Sequence, residues 1–119
     1  MPWRDLSAAQ LLDRMPIPAL VTRLNGRIVY ANTEARAMLG QKKATLAGCD
    51  VAEFRWGAKF ARVLGAATRK GAYSQWQDEA RYRGAGGKEI WVLETVVPVN
   101  QASGEVGCFL HFLQPLGGS

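Results

Sequence analysis

The stretch LNGRIVYANTEARAMLG, Leu24 to Gly40, decides how this chain begins to fold. Asn25-Gly26 predicts a tight hairpin, because a type I′ turn needs positive φ at both central positions, which Asn and Gly tolerate. Arg27 to Ala31 then reads as a short strand, paired with an earlier one over Ala19 to Arg23. Asn32 or Thr33 can accept a hydrogen bond from the free amides of a starting helix. Ala35, Met38 and Leu39 give that helix an apolar side, and Gly40 suits its C-terminal end. The unit is a hairpin followed at once by a capped helix.

Upstream, Trp3 to Met15 predicts a short helix. Ser7 and Gln10 have capping-box spacing, Leu11, Leu12 and Met15 can line one side, and Pro16 and Pro18 stop it. Downstream, residues 44–56 read as short helical turns and loop, with Leu46, Val51 and Phe54 as inward anchors. Gly57 to Gly71 is a clearer amphipathic helix. Phe60, Val63, Leu64 and Ala67 fall at i, i+3, i+4 and i+7, while Lys59, Arg62 and Arg69 lie on the other side.

The last half is β. Trp76, Ala80 and Tyr82 alternate with polar residues at period two. Gly84 to Gly87 turns the chain into Lys88–Asn100, and Ser103-Gly104 turns it again into Glu105–Gln114. Two strands before the helices and three after them predict an α+β fold, one five-stranded antiparallel sheet with helices on one face.

The last two strands do not alternate as a one-sided sheet should. Ile90 to Leu93 are consecutive apolar residues, Val96 and Val97 follow, and Cys108 to Leu113 is interrupted only by His111. Both faces therefore need cover. Helices supply one; the other calls for the N-terminal helix or a second copy of the chain. The expectation is a homodimer whose surface includes Leu11, Leu12, Trp91, Leu93 and Val97.

Composition narrows the class. A chain of 119 residues is one domain, and 48% hydrophobic residues provide a core without staples. The net charge of +5 comes from scattered residues rather than a basic stripe, so no nucleic acid is expected as partner. Two cysteines, Cys49 and Cys108, make neither a disulfide framework nor a metal spacing. The start does not read as a secretory leader, and no apolar run approaches the roughly 20 residues that span a bilayer. A cytoplasmic setting without membrane insertion is expected.

Catalytic patterns are few, and no enzyme is expected. His111 is the sole histidine, on the strand face it shares with Phe109 and Leu113, and reads best as a hydrogen-bonded structural residue. Cys108 lies three positions away on a strand, hence on the opposite face, so the two form no dyad. The Gly84–Gly87 cluster joins strand to strand and is no phosphate loop. Glu94 interrupts an apolar strand. It is either a buried carboxylate with a partner, lining a pocket, or a charge left in solvent at an edge or bulge. Trp56, Trp76 and Trp91 are either core or stacking platforms for a ligand.

The segment LLDRMPIPALVTRLNGRIVYANTEARAMLG, from Leu11, resembles the opening of a PAS domain: helix, strand, Asn-Gly turn, strand ending in Asn, and a helix ending at Leu-Gly. AGCDVAEF, from Ala47, resembles the short helical segment that follows. Trp76 to Leu113 is similar to the family's three closing strands, including the Trp91-Val92 to Pro98-Val99 pattern. The chain departs from the family at Gln114-Pro115-Leu116, where many members carry an Asp-Ile-Thr-like junction.

The resemblance implies a sensory and dimerisation module that binds a small ligand between sheet and helices and controls an attached signalling effector, as in two-component systems. Expected ligand contacts are Val29, Met38, Phe54, Phe60, Leu64, Trp76 and Glu94. A ligand-free interaction module is the alternative. No cofactor is expected. Haem-binding members take their histidine from the long helix, which has none here, and GCDVAEF does not match the reactive-cysteine motif of light-sensing members; haem and flavin remain lesser readings. The expected layout is a capping and dimerisation helix over 1–16, a core over 17–115 and a linker over 116–119.

Overall fold

The computed structural model describes residues 6–40, 46–56 and 75–117. Strands β1 (Ala19–Thr22), β2 (Ile28–Ala31), β3 (Trp76–Arg83), β4 (Glu89–Asn100) and β5 (Val106–Pro115) form one antiparallel sheet in the order β2-β1-β5-β4-β3. The first hairpin thus docks against the last strand. The helix expected over Gly57–Gly71, with Phe60 and Leu64, lies outside the described residues.

The doubly apolar strands sort by alternation. In β4 and β5 the residues Val92, Glu94, Val96, Phe109, His111 and Leu113 are buried on one face, the inner face. Leu93, Val97, Leu110 and Phe112 are half-buried on the other, the outer face, and Trp91 is 48% exposed there. The core gathers on the inner face around Leu20, Ile28, Leu39, Tyr82 and Phe109. Each such side chain contributes roughly 1.5–3 kcal/mol by leaving water. Trp76 packs partly buried against this core, but Trp56 and Trp91 do not join it.

Helix α1 (Ala8–Asp13) has the expected Ser7–Gln10 capping box, and α2 (Thr33–Leu39) starts on Asn32 and ends on Gly40 at φ 70°. Gly40 is required twice: its backbone is left-handed, and a Cβ there would sit 2.6 Å from Ala85 Cα. Asn32 is fully buried and uses its whole hydrogen-bonding capacity. Oδ1 accepts from the amides of Ala35 and Ala19, and Nδ2 donates to the carbonyls of Leu12 and Ile17. One side chain therefore joins the end of α1, the start of β1 and the start of α2. Asp13 adds to this junction by accepting from the Tyr30 hydroxyl at 2.6 Å and the Thr33 amide at 3.1 Å.

The hairpin turn differs from the expected two-residue form. Gly26 N–H donates to Arg23 O, and Arg23 N–H donates to Arg27 O, which makes a three-residue loop with Gly26 at φ 88°. Leu24 and Asn25 are the central residues of the turn, and the Asn25 side chain accepts from Arg27 N–H. A turn followed by a left-handed glycine suits strand twist as well as a type I′ turn does.

Residues 46–56 form a strap across the sheet. Near its start, Gly48 N–H donates to Ile28 O, and Ile28 N–H donates to Cys49 O, outside edge strand β2. A 3-10 turn over Val51–Glu53, capped by Asp50, buries Val51 completely. At its end, Trp56 N–H donates to Arg81 O, and Arg83 N–H donates to Phe54 O, outside edge strand β3. The strap occupies backbone groups at both edges of the sheet, which blunts them against further pairing.

Candidate functional site

The inner face carries an acid where its neighbours are apolar. Glu94 is 0% exposed, which excludes the edge or solvent reading of this residue. Alternation along β4 leaves its carboxylate no other direction, so its charge must be met inside. Three side chains meet it. Arg55, from the strap, donates Nε–H to Oε1 at 2.8 Å. Tyr82 of β3 donates its hydroxyl to Oε2 at 2.6 Å, and His111 of β5 lies with Nδ1 3.1 Å from the same oxygen. Beyond it, His111 Nε2 is 2.8 Å from Thr22 Oγ1 of β1.

The protonation pattern follows from the acceptor. Burial, the largest influence, pushes the Glu94 carboxyl up. The hydrogen bond and charge of His111, the charge of Arg55 and the Tyr82 hydroxyl together outweigh it, holding the group below its usual range. The carboxylate is therefore ionised and can only accept. His111 Nδ1 must carry a proton and donate it to Glu94, and in the neutral ring Nε2 accepts from the Thr22 hydroxyl. Burial and the adjacent Glu94 charge push the Tyr82 hydroxyl well above its usual range, so it stays a donor.

Thr22, His111 and Glu94 have the connectivity of a hydroxyl–imidazole–carboxylate triad. All three are 0% exposed, so the hydroxyl is presented to no substrate in this structure. What the group does is hold a charge in place and relay hydrogen bonding from β1 to the strap. With both ring nitrogens of His111 engaged, the site does not fit an iron-bound imidazole. Cys108 faces outward with its thiol pushed up by burial, and the Cys49 backbone pairs beside β2.

A sequence profile of the PAS domain family matches residues 16–114. The chain belongs to the PAS domain family. PAS domains serve as sensory modules of signalling proteins and are generally non-catalytic. Among solved structures, the chain is similar to the PAS domain of an HTR-like protein from Haloarcula marismortui, with TM-score 0.77, 19% identity and coverage of 89% of this chain and 86% of that one. It is also similar to the PAS domain of nitrogen regulation protein NR(II) from Vibrio parahaemolyticus, with TM-score 0.73, 17% identity and coverage of 93% and 100%. A LOV domain of a blue-light activated histidine kinase from Erythrobacter litoralis gives TM-score 0.72, 14% identity and coverage of 88% and 100%. No curated protein matches the chain. At these identities the neighbours share the PAS fold.

Of the expected ligand contacts, Glu94 is fully buried on the inner face, and Met38, Phe54 and Trp76 pack partly buried against the core around it. Val29 does not join them. It is 44% exposed on edge strand β2, where Ile28 takes the buried position, and it borders a surface cleft of about 210 Å³ with Tyr30 and Arg36. Phe60 and Leu64 lie outside the described residues. On the outer face, Leu93 and Val97 are half-buried beside exposed Trp91; Leu11 is 47% exposed on α1 and Leu12 half-buried. Sequence reasoning missed Tyr82, Arg55 and His111 as partners of Glu94, and Thr22 as the partner of His111. Tyr82 carried a signal, since period two places it on the buried side of β3. Arg55 carried none, being one arginine among many.

Proposed function

We propose that this PAS domain is the input module of a signalling protein, working as a homodimer in a cytoplasmic setting. A small ligand taken up between the inner face and the helices shifts the dimer between two arrangements and so controls an attached effector. The supporting observation is the ionised carboxylate of Glu94, enclosed with Arg55, Tyr82 and His111 among apolar residues. A few directed polar groups in an apolar surround is how ligand sites fix orientation. A ligand drives such a switch only if it binds the two states unequally. The outer face supports the dimer: Leu93, Val97, Leu110 and Phe112 adjoin exposed Trp91, and an apolar surface of this kind marks contact with a partner.

Native mass spectrometry with an absorption spectrum tests both halves. The expected result is a dimer carrying the mass of a small molecule, dissociated to monomer by Leu93→Glu. A monomer without added mass overturns the reading. The alternative, a ligand-free dimerisation module, is favoured by a separate observation: the polar groups around Glu94 already satisfy one another. A dimer of bare protein mass that survives ligand screening would select it.

A further inference from the structure

Two adjacent strap residues touch opposite faces of the sheet. Arg55 turns inward, its side chain 8% exposed, and binds Glu94. Trp56 turns outward and is 36% exposed. Its ring stacks on the Arg81 guanidinium, which lies 4.6 Å from the ring centroid, with Arg83 at 5.5 Å. Arg81 also lies 5.7 Å from the Trp91 ring and pairs with Glu89 at 3.1 Å. The outer face at this corner is thus an arginine set between two indoles, one on the strap and one on β4. Successive residues of an extended segment point to opposite sides, so a single short backbone serves both contacts.

We propose that Arg55 and Trp56 act as a lever that transmits a change at Glu94 on the inner face to the Arg81–Trp91 corner of the outer face. The inference rests on reading the inner face as the side that receives the signal. It adds the route by which that signal leaves. When the Glu94 carboxylate is neutralised or drawn to another partner, Arg55 loses the ion pair that holds it inward while keeping its Nη1 contact to the Trp56 carbonyl at 3.4 Å. The strap end between Phe54 and Trp56, held to β3 by two backbone hydrogen bonds, then tilts rather than detaches. Trp56 rides on that tilt. The Arg81 guanidinium, shared among Trp56, Trp91 and Glu89, repartitions among them. Such a share is easily shifted because no one contact dominates an exposed cation–π group. Trp91 is the most exposed aromatic residue among the described residues, on the outer face, so its new setting is felt by whatever covers that face.

The test needs no ligand. Indole N–H signals of Trp56 and Trp91 are followed by two-dimensional NMR in the full chain and in Glu94→Gln and Arg55→Lys, with assignments from Trp→Phe variants. Both substitutions are expected to shift the Trp56 and Trp91 signals. By linkage, Arg81→Lys is expected to shift the ring signals of His111 in return. In the Arg55→Lys, Arg81→Lys double-mutant cycle, the effects on the folding equilibrium constant should depart from multiplication by about fivefold or more. Arg55→Lys keeps the charge and carries the test if Glu94→Gln does not fold. Unmoved indoles, or effects that multiply within about twofold, overturn the lever. Absence of bound small molecule with shifted indoles would instead count against the ligand reading alone.

Discussion

Tyr82 and Glu94 are not cross-strand partners: Tyr82 faces Ile90 in the register and Glu94 faces Asp78, yet the Tyr82 hydroxyl donates to Glu94 at 2.6 Å. The contact runs diagonally across the inner face, over Val92, and the length of the tyrosine ring makes it possible. Tyr82→Phe removes one donor and leaves the shape of the core intact. The expected loss is about 1–2 kcal/mol in urea unfolding. Arg55→Gln, which withdraws the cation from a buried charge, should cost more, about 2–4 kcal/mol. Equal or smaller loss for Arg55→Gln would show that the ion pair contributes little.

The lowered Glu94 carboxyl fixes a sign for acid stability. The group's usual value is 4.5, and its folded value lies below that. As pH falls, the unfolded chain takes up the proton first, so stability present above about pH 4.5 is lost progressively below it. Urea midpoints measured from pH 6 to pH 3 should therefore fall more steeply for the natural chain than for Glu94→Gln. Parallel curves would contradict the assignment.

Ionised Glu94 dictates the tautomer of its neighbour. Long-range nitrogen NMR of the neutral His111 ring should find the proton on Nδ1, because Oε2 has none to give. Thr22→Val removes the hydroxyl that bonds Nε2 at nearly constant volume and should cost about 1–2 kcal/mol in thermal or urea unfolding. Thr22→Ser should recover most of it. A ring protonated on Nε2 alone would refute the network as described.

Asn32 joins three elements through four hydrogen bonds. Asn32→Ala loses the helix cap together with the ties to α1 and β1, and should cost at least about 2 kcal/mol. Asn32→Asp keeps the oxygen that accepts from both amides and loses both donated bonds, so amide exchange at Ala35 should remain slow. Retention of full stability in Asn32→Ala would mean that water replaces the side chain.

Much of this architecture was readable from residue patterns. The capping box at Ser7, the Asn32 cap, the Gly40 stop and the alternation of Ala80 and Tyr82 are local features, set by backbone hydrogen-bonding needs and by side-chain period. The doubly apolar strands called for cover on both faces for the same reason; the core fills the inner face, while Trp91 on the outer face is 48% exposed. Even so, local patterns left Glu94 undecided, because its environment is made by β1, β3, β5 and the strap. They also placed Val29 with the ligand contacts, although an isolated four-residue strand does not reveal which side a neighbouring element will bury.

The chain's own order of residues determined the strands, the caps and the hairpins between consecutive strands, since each depends on groups close to one another along the chain. Folding in three dimensions decided the charge relay. Thr22, Arg55, Tyr82, Glu94 and His111 become neighbours only when the first hairpin docks on the last strand and the strap crosses between the sheet's edges. A buried carboxylate must find its donors wherever packing brings them, and no spacing along the chain encodes that meeting.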